Sequence, residues 1–182
     1  MLQTLTYQTA ALQDNYSIFN EAVNIGKVYK TEWLGWTMDA EIAGRRFKFS
    51  KSGLFTRVIH IEDKDARSTL GELIIKPLFR WAPRATLQLA DGVEYRWLNS
   101  RLLTSDWQWQ ENHRIVMSAK EPWQFTGAHG SVLVRASVPE KELLLSLGLM
   151  LRNDHARRSL FGLAIGGAII GFNALVRLLM GQ

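Results

Sequence analysis

The chain has 182 residues, a net charge of +5 and a pI near 9.7, so it is one ordinary domain with room for an appendage, and its surface is drawn to polyanions. Anionic lipid headgroups are the expected partner; nucleic acid is the alternative polyanion and is not expected. With no cysteine there are no disulfides, no thiol chemistry and no thiolate metal sites, and no cofactor is expected.

Residues Met1 to Tyr16 hold no apolar stretch behind a basic start, so no secretory signal is read there. Leu2 to Gln13 mixes threonine and glutamine with apolar residues and reads as a first edge strand or an ordered arm. From Tyr16 onward, short runs of β-branched and aromatic residues are separated by turn signals. Tyr16 to Phe19 leads into Asn24-Ile25-Gly26, read as a turn, and Lys27 to Glu32 follows. Trp36 to Ile42 and Arg45 to Lys51 flank Ala43-Gly44, a tight hairpin. Next come Leu54 to Ile61, the charged turn Glu62 to Asp65, and Thr69 to Ile75.

Pro77 and Pro83 lack amide donors, which assigns Lys76 to Arg84 to a connection. Thr86 to Leu89 and Val93 to Trp97 are joined by Asp91-Gly92, the clearest hairpin signal in the chain. Leu87, Leu89, Val93, Tyr95 and Trp97 alternate with polar neighbours at the period of two that a half-buried strand requires. Asp106 to Gln110 repeats the pattern and turns through Glu111-Asn112 into Arg114 to Ser118. Trp123 to Thr126 and Ser131 to Arg135, divided by Gly127 and Gly130, complete the β region.

Roughly a dozen short strands with no helix before Ser137 argue for an all-β sandwich or barrel, and closure would also dispose of the edges. Ser137 is placed to cap the segment that follows, with Glu140 reaching back to it. A barrel of so many strands is too wide for its own side chains to fill, since about eight strands leave just enough room. The leucine-rich helix from Glu142 to Arg152 is the apolar object available to plug it.

A second apolar helix runs from Ser159 to Met180. At 1.5 Å per residue the first helix is roughly 16 Å long and the second roughly 32 Å, against a bilayer core of about 30 Å, so only the second can span. Its large apolar residues favour insertion by about 5 kcal/mol, opposed by less than about 3 kcal/mol from Arg177, which can snorkel near the end of the span. Arg152, His155, Arg157 and Arg158 precede the span while Gly181 and Gln182 follow it, so the N-terminal side is expected in the cytoplasm. That describes a tail anchor. Gly162/Gly166 and Gly167/Gly171 are small-xxx-small pairs, and Asn173 lies near the Gly162/Gly166 face. They nominate this helix for a homodimer or for docking on another membrane protein.

Serial short strands with glycine-centred turns, followed at once by a leucine-rich helix, resemble the small bacterial members of the tubby-like superfamily, which includes LURP-one-related proteins and phospholipid scramblases. The residues that carry the likeness are Trp81 to Trp97, with its Asp91-Gly92 turn, and the join Pro139-Glu140-Lys141-Glu142-Leu143-Leu144-Leu145. The likeness covers about Tyr16 to Arg152. It implies a closed twelve-stranded barrel threaded by an apolar helix, and association with membrane lipid. In scramblase-like members the terminal apolar helix can itself occupy the barrel, which sets two helices here in competition for one interior. The fold class expected is therefore mainly β, a closed antiparallel barrel around a short hydrophobic helix. The barrel is assigned to residues 1–152 with its central helix at 139–152, a basic linker to 153–158, and an apolar transmembrane helix to 159–182.

No reaction can be read from the chain. His60, His113, His129 and His155 are isolated, and neither HExxH, Gly-x-Ser-x-Gly nor a phosphate-cradling glycine loop is present. Asp63 and Asp65 lack the rest of a calcium loop. Trp97, Trp107 and Trp109 alternate within strands and are assigned to packing. Trp33, Trp36 and Trp81 fall at turns beside basic residues, and with Arg45, Arg46, Lys48 and Lys51 they are the lipid-facing candidates. The leading expectation is a non-enzymatic, membrane-anchored module on the cytoplasmic face that binds lipid or a partner. A soluble cytoplasmic barrel that binds an apolar ligand, its last helix closing the barrel or an oligomer, is the second expectation. An enzyme is the third.

Overall fold

Residues with side chains alternately inside and outside a sheet can bury one face completely only if that face closes around something. The computed structural model describes residues 1–10, 15–31, 37–51, 58–75, 84–99, 106–120 and 127–154. Among them, twelve strands form one closed antiparallel barrel in which each pairs with its neighbours in sequence. They are β1 (Leu2–Ala10), β2 (Tyr16–Asn20), β3 (Val23–Lys30), β4 (Thr37–Ile42), β5 (Arg45–Lys51) and β6 (Val58–Asp63). The second half comprises β7 (Ser68–Ile75), β8 (Arg84–Leu89), β9 (Glu94–Asn99), β10 (Trp107–Glu111), β11 (Arg114–Lys120) and β12 (Gly127–Arg135). One helix, α1, covers residues 141–154.

The seam is the pairing of β1 with β12, in register from Leu2 opposite Arg135 to Ala10 opposite Gly127. β1 pairs with β2 on its other side, so it is neither an edge nor an arm. Closure leaves no open sheet edge.

The inward residues are almost all apolar. Phe47 and Phe49 on β5, Ile59 and Ile61 on β6, Leu73 on β7 and Leu87 on β8 are fully buried. So are Leu143, Leu144, Leu147 and Leu149 of α1, each of which gains roughly 1.5–3 kcal/mol from burial. The leucine helix fills the barrel.

Four local readings change with the structure. The charged turn lies at residues 64–67 and not at Glu62 to Asp65, because Glu62 and Asp63 finish β6. Asn24-Ile25-Gly26 belongs to β3, and the turn lies earlier, at residues 21–22. Asn24 Oδ1 accepts the Gly26 N–H at 2.9 Å, a local bond typical of turns, yet it sits where the β2–β3 register shifts between Ile18 and Phe19. Gly26 is required because a Cβ there would collide with the backbone of Glu41 and Ile42 on β4. Gly127 and Gly130 do not divide two strands either. Both lie within β12, where the Tyr7 ring packs over Gly130; Trp123 to Thr126 fall outside the described residues. Finally, α1 starts at 141, not at a Ser137 cap: the Leu144 N–H donates to the Glu140 carbonyl, and residues 136–140 make a turn.

Two kinds of end result. Turns at 21–22, 43–44, 64–67 and 112–113, with the slightly longer 90–93, all join strands at one end. Ala43 and Gly44 both have positive φ, 50° and 83°, the pair of values a two-residue hairpin with matching twist demands. The chain leaves β12 at this end and α1 enters there. Segments after β1, β3, β5, β7, β9 and β11 join strands at the opposite end, where α1 leaves.

Candidate functional site

The barrel offers three places where chemistry could occur: the interior, the outer wall and the two ends. Inside, α1 is fastened in its middle and at both ends. Trp109 Nε1 donates to the Leu144 carbonyl at 2.8 Å. A Cβ on Gly148 would lie 2.5 Å from Trp107 ring carbons, so this turn of the helix is shaped to the indole face. At the entry end Arg45 reaches inward to Glu140 at 3.1 Å and Glu142 at 3.8 Å, and Lys141 approaches Gln3 at 3.5 Å. At the exit end Arg152 donates to the Tyr16 hydroxyl at 3.3 Å. The helix runs the length of the barrel.

Two buried indole donors, Trp97 Nε1 and Trp107 Nε1, have no hydrogen-bond acceptor among the described residues. Tyr95, 3% exposed, has its phenol pushed up to about 12 by burial, with Glu111, Glu140 and Asp91 adding to the effect.

The outer wall carries paired charges. Arg46 Nε donates to Asp65 at 2.7 Å, and Lys64 donates to Asp39 at 2.8 Å. The bond to Asp65 raises the Arg46 guanidinium further, and the same bond holds the Asp65 carboxyl below the usual range. Lys64 is raised by its bond to Asp39. His60 Nδ1 stands 3.1 Å from Glu72 on the neighbouring strand. Among the described residues no group of three or more His, Asp or Glu could hold a metal ion.

The lipid-facing candidates on β5 are dispersed. Strand alternation sends Arg45 into the barrel with Phe47 and Phe49, and Arg46 and Lys48 outward. Lys51 shares the inward face but lies at the opposite end, six residues or about 20 Å from Arg45. Lys48 stands on the wall opposite Asp39 on β4 and Glu62 on β6. Trp33, Trp36 and Trp81 lie outside the described residues, as do Arg157, Arg158, Gly162, Gly166, Gly167, Gly171 and Asn173. Arg152, a membrane-flanking candidate, is half-buried at the C-terminal end of α1.

What sequence reasoning missed is the role of Arg45 as a tether for the helix. The signal was available, because Phe47 and Phe49 fix the parity of β5 and hence the side Arg45 faces. Likewise Gly148, one of two interruptions in the leucine run, is the position that admits Trp107.

No helix among the described residues is long and apolar enough to cross a membrane. No protein-family model matches the chain, and neither a curated protein nor a solved structure matches it significantly.

Proposed function

We propose that this chain is a non-enzymatic β-barrel module tethered to the cytoplasmic face of a membrane by residues 159–180, and that it acts there by association with lipid. The observation that carries the reading is the occupancy of the barrel. The helix at 141–154 already fills the interior, with Leu143 to Leu151 between 0% and 4% exposed. A second apolar helix therefore needs another host, and a run of about 32 Å matches the hydrocarbon thickness of a bilayer. The resemblance to the tubby-like superfamily points the same way, toward a lipid-associated barrel.

Alkaline carbonate washing of membranes containing the full chain is the direct test. An anchored chain stays in the pellet, and a variant with Ile165, Ile169 and Ile170 replaced by Asp moves to the supernatant. Full solubility of the unmodified chain without detergent would overturn the reading in favour of a soluble barrel.

A further inference from the structure

The outer wall of the barrel has two unlike sectors, and strand pairing fixes which residues share each. From β3 to β9 the wall alternates charge across strands: Lys27 opposes Glu41, which opposes Arg46, and Lys48 lies between Asp39 and Glu62. Arg46–Asp65, Lys64–Asp39 and Arg96–Glu94 close such charges on one another. That sector is built to face water.

The sector around the seam differs. Thr4 opposes Leu133, which opposes Ser118 on β11, and Thr6 opposes Ser131 on one side and Phe19 on the other. Beyond Ser118 and Ile115 stand Gln108 and Gln110 of β10. None of these side chains carries charge, and each is half-buried or exposed. Charges border the sector without entering its centre: Arg135 and the facing Glu111 and Arg114 at the entry end, Asp106, Lys120 and His129 toward the exit end.

Exposed apolar side chains concentrate here too. Leu2 at 65%, Ile115 at 45% and Leu133 at 39% lie on the adjacent strands β1, β11 and β12, and no described residue from β4 to β10 is an exposed large hydrophobic. One such residue on a surface is ordinary, whereas three on neighbouring strands make a patch.

This sector selects partners by charge. Nucleic acid, an anionic leaflet or an acidic protein would bury its charges against side chains that cannot pair with them. A second copy would not. Two copies carry +5 each and repel over most of their surface, and this is the wall across whose centre they meet with no like charges opposed and none to desolvate. Five strands at about 4.8 Å and the residues Leu2 to Gln8 at about 3.4 Å each make a face of roughly 24 Å by 24 Å, roughly 580 Å² per copy. That falls below the roughly 800 Å² per partner of a standard interface and matches a weak, reversible one.

We propose that the uncharged wall at the β1–β12 seam is a self-association surface, through which two copies of this chain form a weak two-fold dimer. The proposal does not depend on the anchored reading, because every residue it uses lies in the barrel. A two-fold axis in the plane of this wall, at the level of the Thr4–Leu133 row, sets the same patch of both copies face to face and brings the two Thr4 side chains together.

The chain has no cysteine of its own, so a single-cysteine variant reports one place. Thr4→Cys stands in the centre of the wall, and Gln88→Cys is an exposed position on β8, four strands from β12. Full-length protein in detergent micelles is treated with a short bis-maleimide over a range of protein concentrations, and a mono-maleimide reports whether each thiol is accessible. Thr4→Cys is expected to cross-link into a dimer several-fold more than Gln88→Cys, with a yield that rises with concentration. Adding Leu133→Lys or, on the next strand, Ile115→Lys should cut that yield several-fold by setting like charges against each other. Both positions are exposed, and unchanged near-ultraviolet circular dichroism shows that the barrel still folds.

Equal cross-linking at Thr4→Cys and Gln88→Cys would overturn the proposal. So would a Thr4→Cys dimer that neither lysine weakens, which would mean association through another segment such as residues 159–180. A thiol at position 4 that reacts freely yet never cross-links means a monomer with an open wall. One that reacts with neither reagent means that something other than a second copy covers the wall, and each of these results removes the dimer.

Discussion

The middle of α1 and its entry into the barrel are held by different physics. In the middle, Trp107 packs against Gly148 and Trp109 donates to the Leu144 carbonyl, all of it buried to 2% exposure or less for the two indoles. At the entry, Arg45 bridges to Glu140 and Glu142 with side-chain exposures of 34%, 25% and 14%. Steric fit in a dry interior is insensitive to salt and pH. A partly hydrated ion pair is screened by both water and salt, and its net worth is about 0–1 kcal/mol. The barrel thus grips its helix by shape and adjusts it by charge.

The strongest way to break the contrast is Trp107→Ala, which removes the face that Gly148 is shaped to meet. A loss of about 3–5 kcal/mol is expected in urea unfolding, independent of salt. Gly148→Val should destabilise by about 1–3 kcal/mol through overpacking. Combining it with Trp107→Leu should cost less than the sum of the two, as expected for residues that share one space.

Tyr95 sharpens the boundary between the two regions, because it is buried like the middle yet faces acids of the entry. Its phenol titrates near 10.0 when unfolded and at about 12 when folded. The contribution is full below pH 10, and above it the unfolded chain releases the proton first, so stability falls between pH 10 and about 12. The expected loss is of the order of 2 kcal/mol, and Tyr95→Phe should remove this part of the pH profile.

Trp109→Phe keeps most of the ring and loses the donor to Leu144, for about 1 kcal/mol. Arg45→Met should cost least, under about 1 kcal/mol, with a difference from the parent that shrinks as salt is added. A salt-independent loss above about 3 kcal/mol at Arg45 would erase the distinction between grip and adjustment.

Much of the fold could be read from the chain because a strand with one buried face writes its period into the sequence. The β5 run matches Arg45–Lys51 as expected, and the Ala43-Gly44 and Asp91-Gly92 turns lie where their residues suggested. Gly26 and Gly130 misled for a physical reason. A glycine that turns the chain and a glycine that lets another strand or ring approach look the same in sequence. Only Glu41 and Ile42 beside Gly26, and Tyr7 over Gly130, tell them apart. The helix start failed similarly, since Ser137 has the composition of a cap while the chain needs residues 136–140 to turn the corner from β12 into the lumen.

The candidate site was less legible. Four basic residues within seven positions look like one patch, yet alternation and strand length distribute them to both faces and both ends.

The pairing of β1 with β12 also sets a schedule for the nascent chain. The first strand made has to wait for the last before it acquires its second neighbour, and the helix that occupies the lumen is translated later still. Pairing between such distant partners makes folding slow and leaves unpaired strands exposed while it proceeds. A cell that halts synthesis before Arg135 would hold an open, sticky ribbon. Completing only the last few strands, together with residues 141–154, converts it into a sealed cylinder.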